Sequence, residues 1–307
     1  MATLLVSQRN YDDHRTPSGH PERAERLRAI EQALTPHRFP NLLRKDAPFG
    51  DLTLAELVHS PGYLQALSQA RPAEGIGQID EDTFISSTSL DAAGTALGAG
   101  LAALDAVALG EAENAFCAVR PPGHHAERET PMGFCLINTI AVVAREAQRK
   151  YGAERVAIVD FDVHHGNGTQ DIFYDDPTVM YASTHQMPLF PGTGAASETG
   201  AGNIVNVPLA ANTGRDAMME AYDGTILPRL RAFRPDFLLI SAGFDADYRD
   251  PLAQLNWRPE DFSWLTLKLR EAAANLCAGR IVSLLEGGYD RGGLADGVAA
   301  HVTALSS

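Results

Sequence analysis

Cysteine is scarce in this sequence of 307 residues, and its three thiols are scattered. Cys117, Cys135 and Cys277 are odd in number and form no close pair, which excludes a disulfide framework and a paired-thiolate zinc site. Long apolar runs are also lacking, because the longest fall far short of the roughly 20 residues that cross a membrane. Residues 1–7 carry neither a basic segment nor a long apolar one, so we interpret them as a first strand and expect a cytoplasmic protein.

Positively charged residues are also few. The chain has 25 Lys and Arg residues and 39 Asp and Glu residues, which gives a formal net charge of −14. This balance argues against a nucleic-acid-binding protein, which needs a basic face. An acidic surface can steer cationic substrates or can serve solubility alone, and both interpretations stay open. The hydrophobic content of 45% and the charged content of 21% are ordinary for a globular protein with a substantial core.

The densest group of polar residues lies at 160–169, directly after the apolar run 156–159. Such a run predicts a strand buried on both faces of a parallel sheet, and open α/β sheets build their sites at the carboxyl ends of these strands. Alternate side chains of an extended chain share a face, so we expect Asp160, Asp162 and His164 to point together. Carboxylate and imidazole groups suit zinc, and burying them unpaired is costly. The alternative is a solvated corner between a strand and a loop.

Three further predicted strands also end in polar residues. They are 115–120 before His124 and His125, 237–241 before Asp245, and 281–285 before Tyr289. Because the carboxyl ends of parallel strands meet at one edge of a sheet, we expect these side chains to converge on one site. Two carboxylates and one imidazole would make three protein ligands and leave a fourth position for water, as a catalytic zinc requires.

Predicted strands and helices alternate along the whole chain. This pattern indicates an α/β fold with a mainly parallel central sheet and helices on both faces. No Pro/Ser-rich linker and no internal repeat divides the chain, so we predict a single domain over 1–307. The clearest predicted helices cover 54–70, 89–109, 215–233 and 262–276.

The string Asp-Phe-Asp-Val-His-His-Gly-Asn-Gly-Thr at 160–169 resembles the signature of zinc-dependent histone deacetylases. With asparagine at position 167, this string resembles the class II branch and bacterial-type histone deacetylase-like amidohydrolases. The resemblance covers nearly the whole chain and implies the arginase/deacetylase-like fold. It also implies a zinc-dependent deacylase that hydrolyses N-acetyl amides, above all acetyl-lysine in proteins or peptides. One zinc ion per chain is implied, and structural potassium near the carbonyls of 160–164 and 183–184 is suggested.

By this resemblance, the zinc ligands are Asp162, His164 and Asp245. The resemblance implies that His125 is the general base and later the acid, and that Asn167 hydrogen-bonds to it. It implies that His124 is a second histidine oriented by Asp160. Tyr289 is implied to stabilise the oxyanion. Many relatives have aspartate at the position of Asn167, and a neutral partner should leave His125 less basic.

The resemblance also implies a narrow tunnel for an acyl-lysine side chain. Phe134 and Phe190 are implied to form its two aromatic walls, and the carbonyl of Gly133 is implied to accept from the substrate. Asp82 is the implied rim carboxylate, and Leu252 is implied to lie at the mouth. Polyamine-selective relatives need an acidic group at this mouth, so leucine favours peptide substrates. Arg23 is expected beneath the site, and His20 is expected to be structural.

Other functions fit parts of the same pattern. An arginase-like dinuclear manganese hydrolase would use the aspartates of 245–250, but its motif needs an acid at position 166, where glycine stands. An acetylpolyamine or other small-amide amidohydrolase, with an acetylated amine as substrate, stays open. A module that binds acetyl-lysine without turnover is disfavoured by intact His124, His125 and Tyr289. A serine hydrolase and a nucleotide enzyme lack their glycine-rich motifs. A homo-oligomer is compatible with the sequence.

Overall fold

The computed structural model describes residues 2–307, and within them eight strands form one parallel sheet. This confirms the predicted fold class. The strands in chain order are β1 (Thr3–Ser7), β2 (Leu43–Asp46), β3 (Ile76–Gln78), β4 (Phe84–Ser86), β5 (Asn114–Ala118), β6 (Val156–Asp160), β7 (Val179–Gln186), β8 (Ile204–Leu209), β9 (Phe237–Ala242) and β10 (Ile281–Leu285). β3 and β4 form a separate antiparallel pair.

The sheet order is β2-β1-β5-β10-β9-β6-β7-β8. The four strands whose ends carry the predicted site residues, β5, β10, β9 and β6, are therefore consecutive neighbours in the middle of the sheet. Their parallel registers, such as Ser283 opposite both Phe116 and Ile240, bring their carboxyl ends to the same edge. The predicted convergence of these strand ends is confirmed.

Helices cover both faces of the sheet. In chain order they are α1 (Glu25–Ala33), α2 (Pro61–Ala70), α3 (Ser89–Ala108), α4 (Thr139–Tyr151), α5 (Asn167–Phe173), α6 (Arg215–Ala221), α7 (Leu227–Phe233), α8 (Pro259–Cys277) and α9 (Arg291–Leu305). Alternate residues of β6 belong to two different apolar clusters: Val156 and Ile158 pack with α3 and α4, and Ala157 and Val159 pack with α8 and α9. Burial on both faces explains why residues 156–159 of this strand are all apolar.

Two predicted helices have interruptions. The prediction over 54–70 divides into a 3-10 segment, Leu52–Leu57, and α2, which begins at Pro61. Proline has no N–H to donate and forces the preceding residue into an extended conformation, so it favours a helix start, and Ser60 Oγ caps that start by accepting from Tyr63 N at 3.2 Å. The prediction over 215–233 is correct, with a π-helical segment, Tyr222–Ile226, between α6 and α7.

Helix α3 is rich in alanine and glycine and packs inside the molecule. By length and composition alone, this helix of 20 residues is long and apolar enough to cross a membrane. However, 78% of its most apolar 18-residue stretch is buried within the fold. Side chains of α4 and β10 crowd it closely: a Cβ added at Gly100 would lie 2.7 Å from Val143 Cγ2 and 3.3 Å from Leu284 Cδ2. The small residues therefore serve close packing.

Candidate active site

Three acidic and imidazole side chains form a compact cluster at the centre of this sheet edge. His164 Nδ1 lies 3.1 Å from Asp162 Oδ1 and 3.2 Å from Asp245 Oδ2, and all three residues are buried. Backbone N–H groups hold the remaining carboxylate oxygens: Gly287 N donates to Asp162 Oδ2 at 2.8 Å, and Val163 N donates to Asp245 Oδ1 at 2.9 Å. The three ligand atoms are thus oriented towards one point.

The chemistry of this cluster fits a divalent cation. One ligand atom from each of Asp162, His164 and Asp245 lies within 4.8 Å of the others. Burial opposes a charge here, yet hydrogen bonds to the two aspartates raise the pKa of His164 to about 10, which shows how strongly the site favours positive charge. Two carboxylates and one imidazole are a donor set typical of zinc with an open position.

Glycine is required beside the cluster because carboxylates occupy the space of a side chain. A Cβ added at Gly287 would lie 2.1 Å from Asp245 Oδ2 and 2.6 Å from Asp162 Oδ2. A Cβ at Gly166 would lie 2.4 Å from Asp160 Oδ2. These contacts give a steric reason for the glycines of both motifs, and Gly166 stands where an arginase-like second metal would need a carboxylate.

The tandem histidines lie next to the cluster and have different partners. His124 Nδ1 is 2.9 Å from Asp160 Oδ2, and His125 Nδ1 is 2.8 Å from Asn167 Oδ1. Burial opposes protonation of His124, but Asp160 and Asp162 prevail and raise its pKa to about 10. Burial and the charges of His124 and His164 lower the pKa of His125 well below its ordinary value. The surroundings therefore favour the charged form of His124 and the neutral form of His125.

A cavity of about 220 Å³ leads from the surface to these residues. All five predicted substrate residues line it, together with three residues of the chemical group: Asp82, Gly133, Phe134, Phe190, Leu252, His125, His164 and Tyr289. Leu189 also lines it and was missed, because a leucine in a loop carries no distinguishing pattern. A larger cavity of about 440 Å³ lies elsewhere, beside Tyr63 and Leu67, and none of its lining residues belongs to the cluster.

The cavity wall is held in an unusual backbone conformation. Phe134 has a positive φ of 69°, and its N–H donates to Thr83 Oγ1 at 3.2 Å. Such strain in a non-glycine residue persists only where surrounding contacts enforce it, and it is frequent at functional sites. The Phe134 ring makes edge contacts with Tyr289 at 5.7 Å and with His20 at 4.8 Å between centroids.

Known proteins similar to this chain identify its family. The family model described as Histone deacetylase domain matches residues 20–305. The chain belongs to the histone deacetylase family. "Histone deacetylase 10, chloroplastic" from Oryza sativa is 42% identical over 301 residues, covering 91% of this chain and 68% of that protein. "Histone deacetylase-like amidohydrolase" from Pseudomonas aeruginosa is 39% identical over 279 residues, covering 89% of this chain and 73% of that protein.

The solved structure of the HDA15 HD domain has the same fold. It matches with a TM-score of 0.93 and 36% identity, covering 100% of this chain and 89% of that one. This histone deacetylase family member is therefore an amidohydrolase of the deacetylase type. The family is zinc-dependent, and Asp162, His164 and Asp245 form the group that could hold the ion.

Sequence reasoning misplaced one arginine of this histone deacetylase domain. Arg26, rather than Arg23, lies beneath the site: its guanidinium donates to Gly288 O at 2.7 Å and is stacked 5.0 Å from the centre of the Tyr289 ring. Arg26 is 1% exposed, whereas Arg23 is only partly buried. The helical spacing from Arg26 to Ile30 could have revealed it, since it places both residues on the buried face of α1.

Glu286 was also missed as a structural partner of the histidine turn. Its Oε2 accepts from Gly123 N at 2.7 Å and from His124 N at 3.1 Å, and its Oε1 accepts from Ser241 Oγ at 3.0 Å. Burial raises the pKa of Glu286 to about 7. The carboxylate joins the turn after β5 to the ends of β9 and β10, which no local pattern in the sequence indicates.

Proposed function

We propose that this protein is a zinc-dependent deacylase that hydrolyses N-acetyl amides, with acetyl-lysine in peptides or proteins as its substrate class. The observation that carries the proposal is that one cavity is lined both by His125 and by His164, a member of the cluster with Asp162 and Asp245. These three cluster residues would hold a single zinc ion. When bound, zinc supplies a Lewis acid that polarises the acyl carbonyl and makes water more acidic.

His125 provides the proton transfer. Its Nδ1 is engaged by Asn167, and its Nε2 has no hydrogen-bond partner within residues 2–307, so it is free to take a proton from the attacking water. The same nitrogen then returns that proton to the leaving amine. His124, which Asp160 keeps protonated, adds a fixed positive charge beside the reacting carbonyl.

Tyr289 donates a hydrogen bond to the oxygen that becomes negative in the transition state. Burial raises the pKa of its hydroxyl well above the ordinary value, so the group stays protonated and can donate. The Arg26 guanidinium, which lies over the tyrosine ring, and an edge contact with the Phe134 ring hold the tyrosine in place. A preorganised donor of this kind costs little reorganisation during the reaction.

The cavity fits an extended alkyl chain with a neutral amide at its end. Phe134 and Phe190 line the cavity and supply apolar walls, the carbonyl of Gly133 can accept from the substrate amide, and the cavity-lining Asp82 can accept from peptide N–H groups. Leu252 gives the mouth an apolar surface. An acetylated polyamine is the second candidate, favoured by the −14 net charge, since a polycation is attracted to an acidic protein.

A substrate comparison tests this proposal. Purified zinc-loaded protein should cleave acetyl-lysine peptides with higher kcat/KM than longer acyl-lysines or acetylated polyamines, and the Tyr289→Phe variant serves as the control for contaminating activity. Preference for acetylspermidine would overturn the peptide assignment. Binding of acetyl-lysine without turnover would overturn the enzymatic role. The potassium site, a homo-oligomeric state, a cytoplasmic location and the lack of nucleic-acid and membrane partners stay predictions.

A further inference from the structure

Asn167 has a different partner on each face of its side-chain amide. Its Oδ1 accepts from His125 Nδ1 at 2.8 Å, and its Nδ2 donates to Glu127 Oε1 at 2.7 Å. The same Nδ2 lies 3.1 Å from Met132 Sδ, a weak acceptor. Both amide hydrogens and the oxygen are therefore engaged, although Asn167 makes direct contact with only one residue of the proposed chemistry.

The orientation of this amide determines the tautomer of His125. With the amide oxygen towards the ring, Nδ1 carries the proton and Nε2 is left as a bare acceptor facing the cavity. With the amide rotated by 180°, the NH₂ group would meet Nδ1, which would then have to be the acceptor. The proton would lie on Nε2, and a neutral His125 could no longer take one from water. Aspartate at position 167 would avoid this ambiguity, because both of its oxygens accept.

Glu127 removes the ambiguity that asparagine introduces. A carboxylate can only accept, so it can pair with the NH₂ face of Asn167 and cannot pair with the oxygen face. The distance of 2.7 Å is typical of a charge-assisted hydrogen bond. The backbone of Glu127 is itself anchored: its N–H donates to Thr130 O at 2.9 Å, and His59 Nδ1 lies 2.9 Å from its carbonyl oxygen.

We propose that Glu127 is a positioning residue that sets the amide orientation of Asn167 and, through it, the tautomer of His125. The proposal rests on the proposed function in one respect only, the assignment of His125 as the base. Glu127 does not line the cavity, so it acts at one remove from the substrate. His124 pairs directly with the carboxylate of Asp160. His125 instead pairs with the amide of Asn167, which in turn pairs with the carboxylate of Glu127.

Variants at positions 127 and 167 provide the first test. Glu127→Ala should lower kcat about 10-fold, with KM and zinc content nearly unchanged, and Glu127→Gln should retain more activity because its amide oxygen can still accept from Asn167. Glu129→Gln is the matched control: Glu129 is exposed two residues further on and should tolerate the change. Circular dichroism and metal content verify that each variant is folded and loaded.

The double variants distinguish positioning from a purely structural role. Asn167→Asp alone should be impaired, since it places two carboxylates in contact, and adding Glu127→Gln should restore activity because the glutamine NH₂ can donate to the new aspartate. The effect of Glu127→Gln therefore reverses sign between the two backgrounds. Equal losses in both backgrounds would show that Glu127 only supports the loop, and would overturn the proposal.

The tautomer itself can be observed without any turnover. Nitrogen-15 NMR of the histidine rings should show His125 with Nδ1 protonated and Nε2 unprotonated in the unmodified protein, and a mixture of tautomers in Glu127→Ala. An unchanged tautomer in that variant would overturn the proposal. This measurement needs no substrate, so it tests the role of Glu127 even if the deacylase assignment is wrong. A wrong deacylase assignment would be recognised separately, by the absence of turnover in the unmodified protein.

Discussion

The carboxylate of Asp250 accepts a hydrogen bond from the backbone N–H of Tyr289 at 2.7 Å. Its other oxygen accepts from Leu252 N at 3.0 Å. Asp250 therefore ties the loop after β9, which carries the cavity-lining Leu252, to the loop after β10, which carries the tyrosine. Burial and the nearby charge of Asp245 raise the pKa of Asp250 to about 7. The aspartate that suggested an arginase-like second metal serves to hold two loops together.

Replacing Asp245 with alanine should remove the metal together with the activity. The change deletes one of three ligands and leaves the other two unable to enclose a cation. Elemental analysis should give close to one zinc per chain in the unmodified protein and far less in the variant, while the exposed Asp296→Asn serves as control. Chelation should abolish turnover and zinc should restore it. Two metals per chain, or full activity in the metal-free protein, would contradict this.

The Tyr289→Phe variant should lose about 10² to 10³-fold in kcat. The substitution keeps the ring and its contacts with Arg26 and Phe134 but removes the hydroxyl that we propose donates to the developing oxyanion. Zinc content should not change, because the tyrosine is not a ligand. Steady-state kinetics on an acetyl-lysine peptide provides the measurement, and near-normal turnover would exclude Tyr289 from this role.

Alanine at His125 should cost more turnover than alanine at His124. The surroundings of His125 lower its pKa and favour the neutral form that a base requires, whereas Asp160 raises the pKa of His124 and favours its protonated form. Single-turnover rates of the two variants, each with its zinc content verified, test the order. The opposite order would mean that the two roles are exchanged.

Glutamate in place of Leu252 should narrow the preference for peptides over polyamines. The new carboxylate at the cavity mouth would attract the distant ammonium of acetylspermidine, which leucine cannot do. The comparison is the ratio of kcat/KM values for a neutral acetyl-lysine peptide and for acetylspermidine, with Leu252→Gln as an uncharged control of similar size. An equal change in both variants would show that charge is not responsible.

His301 should make the protein less stable in mild acid. Burial lowers its pKa to about 3, and its ring nitrogens bond to Thr266 Oγ1 and Ser283 Oγ. Because this folded-state pKa lies below the unfolded value of about 6.5, acidification protonates the unfolded chain first. Between pH 7.5 and 5.5, the free energy of unfolding should fall by about 1.4 kcal/mol more in the unmodified protein than in His301→Gln. Urea denaturation at both pH values tests this, and a constant difference would contradict it.

The sequence by itself determined the central part of this protein. Strands buried on both faces are predominantly apolar, so β6, β9 and β10 and the polar residues that follow their apolar runs were distinct from their surroundings. Because parallel strands present their carboxyl ends at one edge, the sequence alone assigns Asp162, Asp245 and Tyr289 to one site.

Only the tertiary structure decided the strand order and the residues that support the site. β2, with the exposed sequence Leu-Arg-Lys-Asp, pairs in parallel with β1 and carries no apolar pattern to predict it. Glu127, Asp250 and Glu286 act through hydrogen bonds to groups 39 to 163 positions away along the chain. A sequence pattern reports burial and local conformation, whereas such partners are chosen by how distant segments pack together.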